Sequence, residues 1–324
     1  NGSGAQSSFD VKCTLNLTKQ QNQVVSFPDE SYDAFARLRV SNPYTLFQVS
    51  HNSDKQHHYV CEKLTTNGTS THNTDDSSVD LVVTADSGSQ VIRQSRMYVT
   101  YQPGKSLLFM GTGVLNSNSN DTACVTRIGL FDDQNGVYFK HVNGVLSVVL
   151  RSYVTGSMVE TTYNSSAWNR DKMDGTGKSG ISLDATLAQI FLIDLEWLGV
   201  GRVRCGVVVG GKIHYVHQII DANSRSTTYM TRASLPSRYQ IDGGTSGVGT
   251  LKMICSTVIS EGGYDVLGMP FSAGLHDGEG ISLASGDPAK IQPLISIRLK
   301  SGFNHVLCKL YGTNILITTG GNIV

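Results

Sequence analysis

The chain has 324 residues, 26 basic and 26 acidic side chains that cancel to a formal net charge of +0, and a hydrophobic fraction of 39%. A balance this even argues against a strongly basic nucleic-acid surface, and no apolar run approaches the ~18 residues that a membrane-crossing helix requires. The 34 glycines, among abundant Ser, Thr and Asn, point to many turns and few long helices.

Residues 1–45 read as an extended N-terminal arm, in which Val24, Val25 and Phe27 suit a short strand and Pro28 and Pro43 break any long element. The opening NGSGAQSS is compatible with a processed end or with a fragment. Residues 46–324 are expected to form one domain. Within it, 51–80 is polar and reads as a long loop around one short strand, HYVCEKL. From residue 81 the strands crowd together: LVVTAD, SQVIRQSRMYVTYQ, KSLLFMGTGVL, ACVTRIGLF, GVYFKHV and VLSVVLRSYVT are rich in β-branched and aromatic residues and bounded by Gly, Asn, Asp or Pro. Two Asn-Gly pairs, Asn135-Gly136 and Asn143-Gly144, fall where tight hairpin turns need positive φ. They predict a three-stranded meander over 124–131, 137–142 and 145–151, with Asp132, Asp133 and Asn135 exposed at its first tip. AWNRDKMDGTGKSG is a Gly- and Asp-rich loop, and residues 188–220 are a dense run of strands that turns at Gly210-Gly211. TLKMICSTVIS, PLISIRLKS and the final HVLCKLYGTNILITTG add further strands. Many short strands at close spacing predict an all-β fold, a jelly-roll or concanavalin/lectin-like β-sandwich.

No clear active site emerges from the motifs. DGTGKSG at 174–180 lacks the first glycine of a phosphate-binding loop, because that position is Lys172, and no apolar strand runs into it. Asp171 and Asp174 lack the regular spacing of a calcium loop. On a strand, His214 and His217 face opposite sides, as do the adjacent His57 and His58, so no metal site is expected. No cofactor motif is present either. Asp194 and Glu196, two apart, share a strand face and offer the paired carboxylates of a polysaccharide hydrolase. The third acid that such strands usually carry is replaced by Leu192, and pairing of these acids with Arg202 or Arg204 on the next strand competes with catalysis. Trp197 is expected in the core. Trp168, at a loop edge, is a candidate for stacking on a sugar, together with Asp132, Asp133 and Asn135. The six cysteines include no CxxC pair and read mostly as small buried hydrophobes, and the sequons at Asn1, Asn16, Asn67, Asn120 and Asn164 are no proof of secretion.

Six blocks, taken in order, carry a resemblance: FARLRVSNPYTLF (35–47), YQPGKSLLFMGTGV (101–114), RIGLFDDQNGVYF (127–139), DKMDGTGKSGISLD (171–184), AQIFLIDLEWLGVGRVRCGVVVGGKIHYVHQ (188–218) and ICSTVISEGG (254–263). Together they resemble a family of poorly characterised virion structural or surface proteins of large DNA viruses and tailed bacteriophages. Ala36 stands where relatives are expected to carry Gly. The resemblance implies a virion location, a homo-oligomeric minor capsid, penton or fibre-type role, other virion proteins as partners and no enzymatic activity. A second, looser resemblance is to concanavalin-type sandwiches. It rests on Leu195-Glu196-Trp197, the strand Val203–Val207 and the turn Gly210-Gly211 before Lys212-Ile213, and it implies a carbohydrate- or receptor-binding module with a host glycan as partner.

Overall fold

The computed structural model describes residues 42–86, 88–115, 124–244 and 248–266, with isolated positions further on. The chain divides into two units, Asn1–Asp265 and Val266–Val324. All the named strands lie in the first. The expected arm falls almost wholly outside the described residues, as does the final pair of strands. Of the strand expected at 293–301, residues 296–301 are described and are not in a strand.

Among the described residues, fifteen strands build two antiparallel sheets. The first sheet contains β1 (Tyr44–Ser50), β3 (Thr69–Asn73), β4 (Ser78–Val83), β6 (Leu107–Val114), β11 (Gln189–Leu195), β12 (Val203–Val209), β13 (Lys212–Ile219) and β15 (Gly249–Ser260). Its order is β13-β12-β11-β6-β15-β4-β3, with β1 also paired to β15. The second contains β2 (Val60–Thr65), β5 (Gln90–Ser95), β7 (Val125–Phe131), β8 (Gly136–Val142), β9 (Val145–Ser152), β10 (Val159–Asn164) and β14 (Ser237–Asp242), in the order β10-β9-β8-β7-β14-β5-β2. Among the described residues the only helical element is a 3₁₀ turn at Ser165–Ala167. The chain is an all-β sandwich.

The predicted meander is present as β7, β8 and β9. At its second turn Asn143 and Gly144 both take positive φ, 51° and 74°, so β8 and β9 meet through the two-residue turn that this pair favours. The first turn is built differently. Phe131 pairs with Gly136, leaving the four residues 132–135 as the loop. Gly136 is required there by close approach, since a Cβ would fall 2.1 Å from that of Phe131. Of the region 51–80, the one short strand expected, HYVCEKL, is β2; the rest, expected as a long loop, instead adds β3 and the start of β4, and β3 and β4 form a hairpin. The long strand expected through Met97–Tyr101 stops at Ser95. Met97 and Tyr98 are both exposed, so no face alternation holds them in the sheet, and only Val99 makes an isolated bridge, to Leu235.

Period-two alternation sends Ile128, Leu130, Val137, Phe139, Val148, Leu150, Tyr239 and Ile241 inward from the second sheet. Val79, Leu81, Phe109, Phe191, Ile193, Val203, Val207 and Val258 meet them from the first. A tyrosine hydroxyl crosses this interior. The fully buried Tyr239 reaches from β14 to the other sheet, where its hydroxyl hydrogen is shared between the carbonyls of Cys255 (2.9 Å) and Thr112 (3.2 Å). Two features of sequence make room for it. The inward positions Gly111 and Gly113 on β6 are glycines, and a Cβ on Gly111 would lie 2.6 Å from Phe109 Cζ and 2.8 Å from the Tyr239 oxygen. A bulge at Ile254 shifts the register between Met253↔Gly113 and Cys255↔Thr112. At the same place β15 leaves β4 and takes up β1 as its neighbour, through Ser50↔Cys255.

Removing the hydroxyl leaves two buried carbonyls without this donor, which costs roughly 1–3 kcal/mol. Adding a methyl in the filled space beside it costs about as much. Urea unfolding of Tyr239→Phe and Gly111→Ala is expected to give losses of that size. In the double variant the sum should fall short of additivity, because the missing oxygen relieves the crowded Cβ.

Candidate functional site

The residues singled out for a sugar site do not form one. Trp168 is buried, donates its indole N–H to the Tyr163 carbonyl (3.0 Å) and packs edge-on against Phe139 with centroids 6.4 Å apart, so it has no free face for stacking. Asp132 and Asn135 are buried as well, and both are turn-builders. Asp132 Oδ1 accepts the amides of Gln134 (2.8 Å) and Asn135 (2.9 Å), while its Oδ2 takes Arg232 (2.5 Å). Asn135 Oδ1 accepts the Thr231 amide (3.0 Å), pinning the segment before β14 to this turn. Only Asp133 is exposed as expected, and its carboxylate is bonded to Arg238 Nη1 (2.8 Å).

The Gly-rich loop is likewise organised around itself. Asp171 is buried and accepts the amides of Met173 (2.9 Å) and Ser179 (2.7 Å), so its oxygens serve the loop's own backbone. Among the described residues no group of three or more His, Cys, Asp or Glu is placed to hold a metal ion. His57 and His58 are exposed; His217 is buried and stacks on Tyr163 at 4.4 Å. Trp197, half-buried rather than fully in the core, packs on it, edge-on to Tyr101 at 5.8 Å.

Asp194 and Glu196 line a cleft of about 350 Å³ with Lys105, Ser106, Leu198, Arg202 and Arg204. Asp194 and Arg204 sit opposite each other on β11 and β12 and form an ion pair, and the Arg204 guanidinium lies over the Tyr215 ring at 4.5 Å. The cross-strand pairing anticipated from sequence is therefore realised. Glu196 lies beyond the end of β11, is exposed, and uses its backbone N–H on the Arg202 carbonyl (3.0 Å). Lys105 is paired with Asp265 at 2.6 Å. Beneath this cleft the Cys205 thiol is pushed up by burial and then by the Asp194 charge.

A second surface escaped the motif search: the outward face of the second sheet. The residues that alternate with its core positions are Tyr138 and Lys140 on β8, Arg127 and Phe131 on β7, Arg151 on β9, Glu160 on β10, and Arg238, Gln240 and Asp242 on β14. Register sets them in rows. Lys140, Arg127 and Gln240 are direct neighbours across β8, β7 and β14. Phe131, Tyr138 and Val149 form a small buried cluster on this face. Two guanidiniums flank Phe131, those of Arg151 at 5.5 Å and Arg238 at 5.1 Å. Arg151 is fully engaged, with Glu160 (2.7 Å), the Asp132 carbonyl (2.6 Å) and the Tyr138 oxygen (3.2 Å). Burial drives Tyr138 upward, assisted by its bond to Glu160. Burial would raise Glu160 too, but the hydrogen bonds from Tyr138 and Arg151 more than reverse this and hold it below the usual carboxylate range. Lys140 is lowered by burial and by its cationic neighbours Arg127 and Arg151, against the pull of Glu160.

At the β2–β5 end of the sandwich a buried polar plug joins the two sheets. Arg93, completely buried, pairs with Glu62 and donates to the Lys55 carbonyl (2.6 Å). Ser70 on β3 donates to the same Glu62 (2.9 Å). His51 is buried between Ile254 O, 2.7 Å from Nδ1, and Arg93 Nη2, 3.2 Å from Nε2. This geometry fits a neutral ring that donates from Nδ1 to the bulge carbonyl and accepts from Arg93 at Nε2.

No family model matches the chain, and no curated protein does. Solved structures do. An endo-β-1,4-glucuronan lyase from the fungus Trichoderma reesei is 11% identical, with 66% of this chain and 95% of that one covered and a TM-score of 0.46. A Shewanella oneidensis protein of unknown function is 8% identical, covering 68% and 88%, with a TM-score of 0.45. The receptor-binding domain of botulinum neurotoxin D is 12% identical, covering 68% of this chain, with a TM-score of 0.39. The chain spans half the length of that domain, 50%.

The plug gives the fold a pH dependence. Burial, together with the charges of Arg93 and His72, holds His51 down at about 4, against the bond to Ile254 and the charge of Asp54. The unfolded ring titrates near 6.5. The unfolded chain therefore binds the extra proton first as pH falls, and stability present above pH 6.5 is lost on the way to pH 4. For His51 this amounts to roughly 3 kcal/mol. Urea unfolding across that range is expected to show the loss, and His51→Gln, though less stable at neutral pH, is expected to show a shallower slope.

Proposed function

We propose that this protein is a structural component of a virus particle, acting through protein–protein assembly rather than catalysis. One observation carries this reading. The blocks that resemble virion proteins hold the residues that fix the frame. Block 101–114 contains Gly111 and Gly113, which seat Tyr239, and Tyr101, whose hydroxyl oxygen accepts the Leu198 amide (3.1 Å). Block 127–139 contains the buried turn-builders Asp132 and Asn135, block 171–184 the loop-organising Asp171, and block 254–263 the bulge with its Ile254 and Cys255 carbonyls. A frame fixed by side chains in this way suits a protein that must present one shape in many copies. Among the described residues the sheets also end in edge strands, β13, β3 and β1 in one and β10 and β2 in the other. At the β10 edge Met158 and Val159 are about half exposed, 49% and 48%. Edge strands with exposed apolar side chains are natural places for copies to join.

A second reading is recognition of a host glycan or receptor by the same sandwich. The row of cations, amides and a tyrosine on the outward face of the central strands favours it. The hydrolase reading loses its footing where Arg204 neutralises Asp194.

Quantitative mass spectrometry of purified particles, with light scattering of the isolated protein, tests the first reading. A fixed copy number per particle and a defined homo-oligomer are expected. A strictly monomeric protein absent from particles would contradict it.

A further inference from the structure

Among the described residues, nine buried side-chain atoms lack any hydrogen-bond partner. Three of them, Arg127 Nε, Arg238 Nε and Gln240 Oε1, belong to one face of two neighbouring strands. Arg127 and Gln240 are direct cross-strand partners, and Arg238 precedes Gln240 by two positions on the same face. Arg238 and Gln240 are more than nine-tenths buried, at 4% and 6% exposure. A buried guanidinium N–H left without an acceptor is costly, and more so than a neutral donor. Here two such groups lie diagonally across neighbouring central strands of the sheet.

The neighbours sharpen the chemistry. Lys140 stands directly opposite Arg127 on β8; Glu160, 4.0 Å from Lys140, and Asp242, paired with Arg127, offset part of their repulsion, and an oxyanion near both cations would offset more of it. The face stays open at its rim, where Arg127, Lys140 and Glu160 retain 13%, 16% and 24% of their side-chain exposure. The carboxylates already present are Asp242, paired with Arg127; Glu160, held by Arg151 and Tyr138; and Asp133. Asp133 is the loosest of these. Its side chain is 84% exposed on the β7–β8 turn, and it meets Arg238 Nη1 at 2.8 Å. Burial would raise its carboxyl, yet Arg238, Arg151 and Lys63 hold it low, which registers a cationic potential at that spot.

We propose that the outward face of β8, β7 and β14 binds an acidic glycan, with Arg127 and Arg238 receiving the oxyanion of one sugar, Gln240 Oε1 accepting a neighbouring sugar hydroxyl and Lys140 flanking them. Asp133 occupies the same seat from within the chain and is displaced on binding. Two guanidiniums and an ammonium as donors, with an amide oxygen as acceptor beside them, match an oxyanion next to a sugar hydroxyl. This deepens the second reading above and rests on it.

The test measures binding of the purified chain to oligogalacturonate, to dextran sulfate and to neutral cello-oligosaccharide, with salt titration. Binding to either anionic probe, weakening as salt rises, is expected, and which of the two binds tells carboxylate from sulfate. Arg238→Gln is expected to weaken binding by about tenfold or more, since a charged hydrogen bond contributes roughly 1.5–3 kcal/mol. Lys140→Gln, at the more open rim, should weaken it several-fold without loss of thermal stability, and Asp133→Asn should tighten it. Equal binding of the neutral probe overturns the proposal while leaving glycan recognition standing. No binding to any glycan overturns both and leaves the virion reading intact. Binding lost in Arg202→Gln but kept in Arg238→Gln and Lys140→Gln moves the site to the cleft and also overturns it.

Discussion

The sandwich depends on one hydrogen-bonded crossing of its own core. The Tyr239 hydroxyl passes from β14 to the opposite sheet and finds two backbone carbonyls there. A phenol that is wholly buried must find an acceptor, and here the acceptors exist because β15 is bulged at Ile254. The bulge also presents the Ile254 carbonyl to His51, and it marks where β15 changes partners from β4 to β1. Gly111 and Gly113 complete the arrangement by leaving out the side chains that would fill the phenol's place. Strand exchange, bulge, glycine pair and tyrosine form a single device spread over β6, β14 and β15.

The same strand carries the donors of the outward face. On β14, Arg238, Tyr239 and Gln240 follow one another, so alternation sends the tyrosine inward and its two neighbours outward. A strand pinned at Tyr239 cannot slip by one residue without exchanging the core and surface sets. Its outward side chains are therefore held at fixed positions before any ligand arrives, and preorganised donors of this kind lower the ordering cost of binding. Phe131, between two guanidiniums, adds stiffness to the same surface.

Much of this was legible in the sequence. Asn143-Gly144 has local chemistry that dictates its turn, and β-branched runs alternate over β7 to β9, so the meander could be read residue by residue. Asn135-Gly136 looks the same locally but is not the same turn, because long-range partners decide it: Thr231 captures the Asn135 side chain, and Phe131 crowds Gly136. That capture is why polar residues expected at an exposed tip are buried. Met97–Tyr101 alternates well enough to suggest a strand but has no neighbour to pair with beyond Val99. The bulge at Ile254 leaves no local mark, since it is defined by what lies across the sheet. The outward face could have been sought by applying period two to VYFK and RYQ, yet its meaning emerges only when register places Lys140, Arg127 and Gln240 in one row.

Amide chemical-shift mapping of the isotopically labelled chain, titrated with a galacturonic or sulfated trisaccharide, measures directly whether the pinned strand presents a binding face. Shifts confined to β7, β8, β14 and the Asp133 turn are the expected result. Shifts centred on 104–106 and 194–204, or none at saturating ligand, would contradict it.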